Sequence, residues 1–447
     1  LAGIVTATTF SGSGASLTSL PAAQLTGALP AISGASLTGM ASTDNVRTGI
    51  LDVAGISTFR NTMNVGAAVT ISESGIEASG IGITVANING GAIGGRRNII
   101  INGAMQVAQR GTSATSVSGE YKTVDRLSVS FSGEDEDPTE AQHTLTSSDT
   151  GPYAEGFRKS FHLTNGNQTS GAGAADYLQP QYKIEAQDIA NSGWDYTSSS
   201  SYITISFWAK SSVAGDYTFN LDTQDGTGYR YLMEYTLVAD TWKKITKTIP
   251  GNSNLTVNND TGLGLQIMWY PFLGSNYVQA DQENNWYASS NGKYGTTSTT
   301  NWWTTNDSTW EITGVQLEVG SQATPFEHRT IGDELQLCKR YYQLWVEGSN
   351  QFVCFGDFYT GTQTDGGVQL PVEMRTTPSI EANTGSNYYI IYTNATQSYI
   401  DGDLTIFRAH KRAVLWYAAA DTARTAGHSN RWVTSNSNAK IAFNAEL

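Results

Sequence analysis

Tyr202 to Lys210 reads YITISFWAK, and Leu263 to Trp269 reads LGLQIMW. In the first, Ile203, Ile205, Phe207 and Ala209 occupy alternate positions; in the second, Leu263, Leu265, Ile267 and Trp269 do the same. Successive side chains of a strand point to opposite faces, so this period of two predicts β-strands with one face in an apolar core. WEITGVQLEV changes phase at Gly314, from Trp310 and Ile312 to Val315, Leu317 and Val319, which predicts a β-bulge at that glycine. Several such strands over residues 96–330, separated by long polar loops, make a two-sheet sandwich the economical architecture.

The text differs on either side of this stretch. Residues 1–98 contain no Trp, Tyr or Cys, and LTSLPAAQLTGALPAISGASLTGM repeats Leu-Thr at Leu17, Leu25 and Leu37 between Pro21, Pro30, Gly27, Gly34 and Gly39. Proline removes a backbone donor and glycine discourages regular elements, so residues 1–43 are expected to form an extended connector. Its small apolar residues are too sparse to bury a core within one chain, and association of three chains about a common axis resolves this. Residues 44–95 carry short alternating phrases such as GILDVAGISTF and VGAAVTIS, the spacing of a β-repeat shaft. GGAIGGRRN (Gly90 to Asn98) then forms a flexible joint.

After the sandwich, TIGDELQLCKRYYQLW predicts a helix with Thr330 as N-cap and Asp333 and Glu334 in the first turn. Its apolar stripe runs through Leu335, Cys338, Tyr342 and Trp345. The helix opens residues 331–447, where YYIIYT, DLTIFRAH, RAVLWYAA and KIAFNAEL read as strands of a smaller β domain. The fold class expected is mostly β: an elongated homotrimeric fibre with an intertwined N-terminal segment, a shaft, a jelly-roll sandwich and a C-terminal β domain.

A formal charge of −14 with no cluster of Lys and Arg argues against nucleic acid and anionic membranes as partners. No apolar run approaches the ~20 residues of a membrane helix, and no charged-then-apolar leader opens at Leu1, so a soluble protein without Sec export is expected. Cys338 and Cys354 lack the paired spacing of a zinc site; a disulfide is one option, and two free thiols the favoured one. No cofactor is expected.

RNIIINGAMQVAQRGTS (Arg97 to Ser113), ITISFWAKSSVAGDYTFNL followed by TWKKITKTIPG, and ITGVQLEVGSQATPFEHRTIGDELQLCKRYYQ together resemble the tailed-bacteriophage tail-fibre family with a carbohydrate-binding-module-like jelly roll. The last stretch, Ile312 to Gln343, is the most specific. The N-terminal Leu-Thr-Gly segment and shaft separately resemble connecting stretches of phage fibres. The resemblance implies a homotrimeric virion protein, assembled in the host cytoplasm, joined to other tail or baseplate proteins through its N-terminal end and contributing to receptor recognition. It supplies no catalytic residues.

A sugar-binding loop combines aromatic faces with amide side chains. Between Tyr270 and Trp310 the chain offers Tyr277, Trp286, Tyr287, Tyr294, Trp302 and Trp303 among Asn284, Asn285, Asn291 and Asn301. These rings either meet host glycan or cover a neighbouring subunit or the sandwich edge. In the last domain Tyr388, Tyr389 and Trp432 fall on expected loops. The acidic turns GEDEDP and DTQDGTG read as solvated turns before Ca²⁺ sites. The five histidines, His143, His162, His328, His410 and His428, form no cluster in the sequence, so no metal site is expected, and no nucleophile elbow or phosphate-binding loop occurs. The reading is adhesion and not catalysis. A structural spacer and a surface-polysaccharide depolymerase, which needs two carboxylates ~5–10 Å apart, remain the alternatives.

Overall fold

The computed structural model describes residues 97–447 except 290, 291 and 395, the strands Met63–Val65, Val69–Ser72 and Gly75–Ala78, and residues 8, 9 and 11. The expected connector and most of the expected shaft therefore lie outside the described residues. The three short strands pair antiparallel in sequence order, within a unit spanning Leu1–Ile83.

In the second unit, Thr84–Leu447, two sheets stack face to face. One has six strands in the order Lys243–Pro250, Tyr202–Ser211, Thr309–Val319, Lys159–Thr164, Thr139–Thr144 and Ser113–Thr115. The other has seven, with Tyr177–Glu185, Leu263–Tyr270, Gly215–Thr223 and Tyr229–Leu237 at its centre. The alternating residues of YITISFWAK and LGLQIMW meet between them. The Phe207 ring stands edge-on to Phe219 at 5.2 Å and to Trp269 at 5.9 Å, and Trp310 Nε1 donates to Tyr235 Oη at 3.0 Å.

The phase change at Gly314 is a bulge. The pairing of Thr309–Val319 with Tyr202–Ser211 slips between Thr313 and Gln316, and Gly314 sits at φ 64° with the Phe157 ring where a Cβ would stand. Only glycine meets both demands.

Thr330 caps the helix as expected, its hydroxyl accepting from the Asp333 amide at 3.2 Å. The helix ends at Cys338, however, and Tyr342–Glu347 is a strand paired with Lys440–Asn444. Tyr342 and Trp345 thus leave the helical stripe, because cross-strand pairing outweighs local periodicity there. Beyond it, six strands close into a barrel: Phe352–Phe358, Gln363–Gln369, Ala413–Ala420, Thr396–His410, Tyr389–Thr393 and Ser429–Thr434. Trp416 and Trp432 pack edge to face at 6.0 Å inside it. Both cysteines are free and buried. Among the described residues, no helix is long and apolar enough to cross a membrane.

The sandwich and the barrel half are joined by charge. Arg126, only 1% exposed and held at φ 75°, donates to Glu446 and to the Lys183 carbonyl, and its guanidinium lies 3.4 Å from the centre of the Tyr341 ring. Arg340 grips Glu185 with two bonds of 2.6 and 2.7 Å, and Arg375 donates to the carbonyls of Thr261, Ala445 and Glu446. A buried charge deprived of its partner is costly. Arg126→Ala is expected to lower unfolding free energy by about 3–5 kcal/mol, read from denaturant midpoints.

Glu140, on the strand Thr139–Thr144, is buried, with one carboxylate oxygen accepting from Thr123 Oγ1 at 2.8 Å. Burial pushes its carboxyl up from 4.5 to about 7. The folded chain therefore holds this proton more tightly than the unfolded one, and the associated stability is full below pH 4.5 and is lost as pH rises through about 7. Glu140→Gln is expected to remove that slope and raise the unfolding free energy at pH 8 by about 2 kcal/mol, measured by unfolding at a series of pH values.

Candidate functional site

The alternation that sends Leu178, Tyr182 and Ile184 into the core turns Tyr177, Gln179 and Gln181 to the outer face of the seven-stranded sheet. The neighbouring strand adds Gln266, Met268 and Tyr270 on that face, and Gly215–Thr223 adds Thr218, Asn220 and Asp222. Leu273, opposite Tyr177, begins the segment that carries Tyr277 and Tyr294 back over the sheet.

These elements enclose a cleft of about 210 Å³ lined by Tyr177, Gln179, Tyr270, Leu273, Tyr277 and Tyr294. Tyr177, Tyr277 and Tyr294 are half-buried, and the Tyr277 ring is 6.0 Å from Tyr177 and 5.6 Å from Tyr294, edge to face in both cases. Tyr270 is buried at the floor, where its hydroxyl meets Asn220 Nδ2 at 3.4 Å. Burial raises the phenols of Tyr177 and Tyr270, so both remain neutral donors near pH 7. Arg230, ion-paired with Asp222, lies 4.0 Å from the Tyr294 ring centre and donates to the Lys293 carbonyl, fixing that side of the cleft.

A row of amides leaves the cleft across the sheet. Gln179 Nε2 and Gln266 Nε2 both donate to Gln181 Oε1, the former at 3.0 Å, and Gln181 Nε2 donates to Ser128 Oγ at 3.0 Å and Ser130 Oγ at 3.2 Å. The combination offers flat apolar rings and polar groups that both donate and accept, with no carboxylate among the six lining residues. A second cavity of 210 Å³, at Arg97, Asp188 and Glu318, holds no aromatic ring.

Of the residues singled out in the sequence, Tyr277 and Tyr294 line this cleft. Tyr287 lies beside it, half-buried, donating to the Lys293 carbonyl at 2.6 Å. Asn301 is exposed on the short helix Thr300–Thr304, and Tyr388 is half-buried on the barrel half. The expectation fails for the others as exposed rings. Trp302 and Trp303 are fully buried by that same helix, with Nε1 donating to Thr309 O at 3.0 Å and Gly171 O at 2.9 Å; Trp303 stacks on Phe272 at 4.7 Å. Trp286 faces inward from an edge strand and donates to Pro250 O at 2.7 Å. Tyr389 and Trp432 lie on barrel strands, not loops, and point to the barrel core. The indole N–H groups of Trp286, Trp302 and Trp303 each find a carbonyl, so this polar loop buries its largest rings without an orphaned donor. Asn291 lies outside the described residues.

Tyr177, Tyr270 and the glutamine row escaped sequence reading. Their signal was the alternation in YLQPQYKIE, in which the polar positions form one face. The acidic turns bond to neighbouring loops: Asp135 accepts from the Ser170 amide at 2.6 Å, and Asp225 from the Asn258 amide at 2.8 Å. His328, in its turn, meets the Glu155 carbonyl at 2.9 Å. Contrary to the sequence expectation, two histidines do gather: His143 and His162, with ring centres 5.1 Å apart, flank Glu311 on the outer face of the six-stranded sheet.

No protein-family model matches the chain, and no curated protein matches it in sequence. Among solved structures it is similar to a family 4 carbohydrate-binding module, with 14% identity over 49% of this chain and 97% of that one and a TM-score of 0.24. It is similar to the family 11 carbohydrate-binding module from Clostridium thermocellum in complex with a mixed-linked β-1,3-1,4 tetrasaccharide, with 12% identity over 48% and 98% and a TM-score of 0.23. A putative sugar-binding protein from Bacteroides thetaiotaomicron gives 11% identity over 50% and 99%, with a TM-score of 0.26. At such scores the functional reading rests on the chain's own geometry.

Replacing Trp302 and Trp303 with Ala is expected to cost about 3–5 kcal/mol for each ring, whereas Tyr277→Ala costs about 1 kcal/mol, both read from denaturant unfolding.

Proposed function

We propose that the chain is a homotrimeric tail-fibre protein of a tailed bacteriophage that attaches the virion to host cell-surface glycan through the tyrosine cleft of its sandwich. The observation that carries the binding half is the cleft itself: three half-buried tyrosine rings over a neutral floor, continued by glutamine amides. The apolar face of a pyranose stacks on such rings while its hydroxyls exchange hydrogen bonds with amides, which both donate and accept. A cleft of this size, below the ~300–1,000 Å³ of drug-sized ligand sites, suits a single sugar ring or a chain end.

The fibre half is supported by the sequence resemblance over Arg97 to Gln343. Chain association is also supported by exposed Phe355, Tyr359, Phe407 and Leu415 on the barrel half, apolar surface that a neighbouring copy would cover. Weak single-site affinity becomes firm attachment when three copies per fibre bind together, a gain of ~10²–10⁴. The role is binding and not catalysis, in a virion assembled in the host cytoplasm, with other tail or baseplate proteins held by the N-terminal end.

The test is a glycan array with host-cell binding, using purified protein whose trimeric mass is verified by sedimentation. Tyr177→Ala and Tyr277→Ala are each expected to weaken monovalent sugar binding about fivefold to tenfold while sedimentation is unchanged. An intact trimer that binds neither glycan nor host cells would sink the adhesin reading and leave a structural fibre.

A further inference from the structure

The outer face of the six-stranded sheet carries a second constellation, independent of the cleft. His162, on Lys159–Thr164, lies directly across from Glu311 on Thr309–Val319, and His143 is on the next strand, where Ala141 pairs with His162. His143 Nδ1 is 3.2 Å from Glu311 Oε2, and His162 Nδ1 is 3.2 Å from Glu311 Oε1; one ligand atom from each residue lies within 4.8 Å of the others. Glu311 is almost completely buried, whereas His143 is half exposed, so the group opens to solvent on one side.

Two features separate this from an ordinary network of hydrogen bonds. First, His162 Nδ1 is buried and lies 3.2 Å from Glu311 Oε1 without the alignment of a hydrogen bond, so its lone pair is not committed to a donor. Second, the outer partners are those of a ligand set: Thr164 Oγ1 stands 3.1 Å from His162 Nε2 and holds the ring, and Ser160 Oγ donates to Glu311 Oε2 at 2.8 Å. Groups that orient ligands in this way characterise metal sites.

We propose that His143, His162 and Glu311 bind a divalent first-row transition-metal ion of the Zn²⁺ type. An ion about 2.0–2.2 Å from each donor would see nitrogen and oxygen atoms 3.2 Å apart at an angle of about 100°, within the range of four- and five-coordinate zinc. Two imidazoles and one carboxylate favour Zn²⁺, Co²⁺ or Ni²⁺ over Ca²⁺ and Mg²⁺, which prefer all-oxygen shells. Water completes the coordination from the open side. Lys210 is the competitor, its Nζ 2.8 Å from Glu311 Oε1, but the same ammonium already reaches Asp149 Oδ1 at 3.4 Å and can shift to that carboxylate. The ion would cross-link three adjacent strands near the sheet edge, so its occupancy is read as stability.

The experiment uses the full chain, stripped with chelator, then titrated with Co²⁺ and Zn²⁺ at pH 7.5 beside Ca²⁺ and Mg²⁺ controls. One equivalent of Co²⁺ is expected to develop visible bands of a nitrogen- and oxygen-ligated ion, displaced by Zn²⁺, with a rise in melting temperature that Ca²⁺ and Mg²⁺ do not produce. His143→Ala, at a half-exposed position that leaves the core intact, should weaken Zn²⁺ by about 100-fold or more, since second-layer partners alone contribute 10–100-fold. Lys210→Met should tighten it. Absence of Co²⁺ bands, or Zn²⁺ binding of equal strength in His143→Ala, would overturn the site.

Discussion

The packing of Phe207 against Phe219 and Trp269 is the contact on which the sandwich depends. It joins the centres of the two sheets, and aromatic pairs set edge to face add to the burial of large apolar area. Once those rings lie between the sheets, period-two alternation commits every second residue of each strand to an outer face. Gly314 preserves that commitment along its strand: without the bulge, Val315 and Leu317 would turn outward and the buried row would break.

The outer faces are consequently where polar chemistry gathers. On the seven-stranded sheet, Tyr177, the glutamine row and the returning Tyr277 and Tyr294 build a neutral aromatic cleft. On the six-stranded sheet, His143, His162, Glu311 and Lys210 build a charged cluster. The two differ because the strands contribute amides and phenols on one side and ionisable groups on the other.

Between sandwich and barrel the contact is of another kind. Arg126, Arg340 and Arg375 reach carboxylates and backbone carbonyls that terminate elements of both halves. Such pairs fix one relative arrangement by direction, which apolar burial alone does not. The rings of Tyr182 and Tyr341 around Arg126 exclude water from the pair and offset part of the cost of burying it.

The alternating stretches, the bulge at Gly314, the Thr330 cap and the strands ending in Lys440–Asn444 were legible in the sequence because each depends on neighbours two to four residues away. The fate of single aromatic rings was not. Trp302 and Trp303 sit in a polar loop whose composition reads as surface, yet a one-turn helix carries both into the core, where the nearby Thr309 carbonyl and the distant Gly171 carbonyl take their N–H groups. Trp432 reads as a loop residue because RWVT is short, and becomes a barrel strand only through pairing with Phe352–Phe358 and Tyr389–Thr393. The cleft and the histidine cluster likewise unite residues a hundred or more positions apart, Tyr177 with Tyr277 and His162 with Glu311. The sequence by itself determined which strands have two faces and which face is apolar; only the tertiary structure decided which outer residues meet, because sheet order and register, unlike period, are settled by contacts between distant segments.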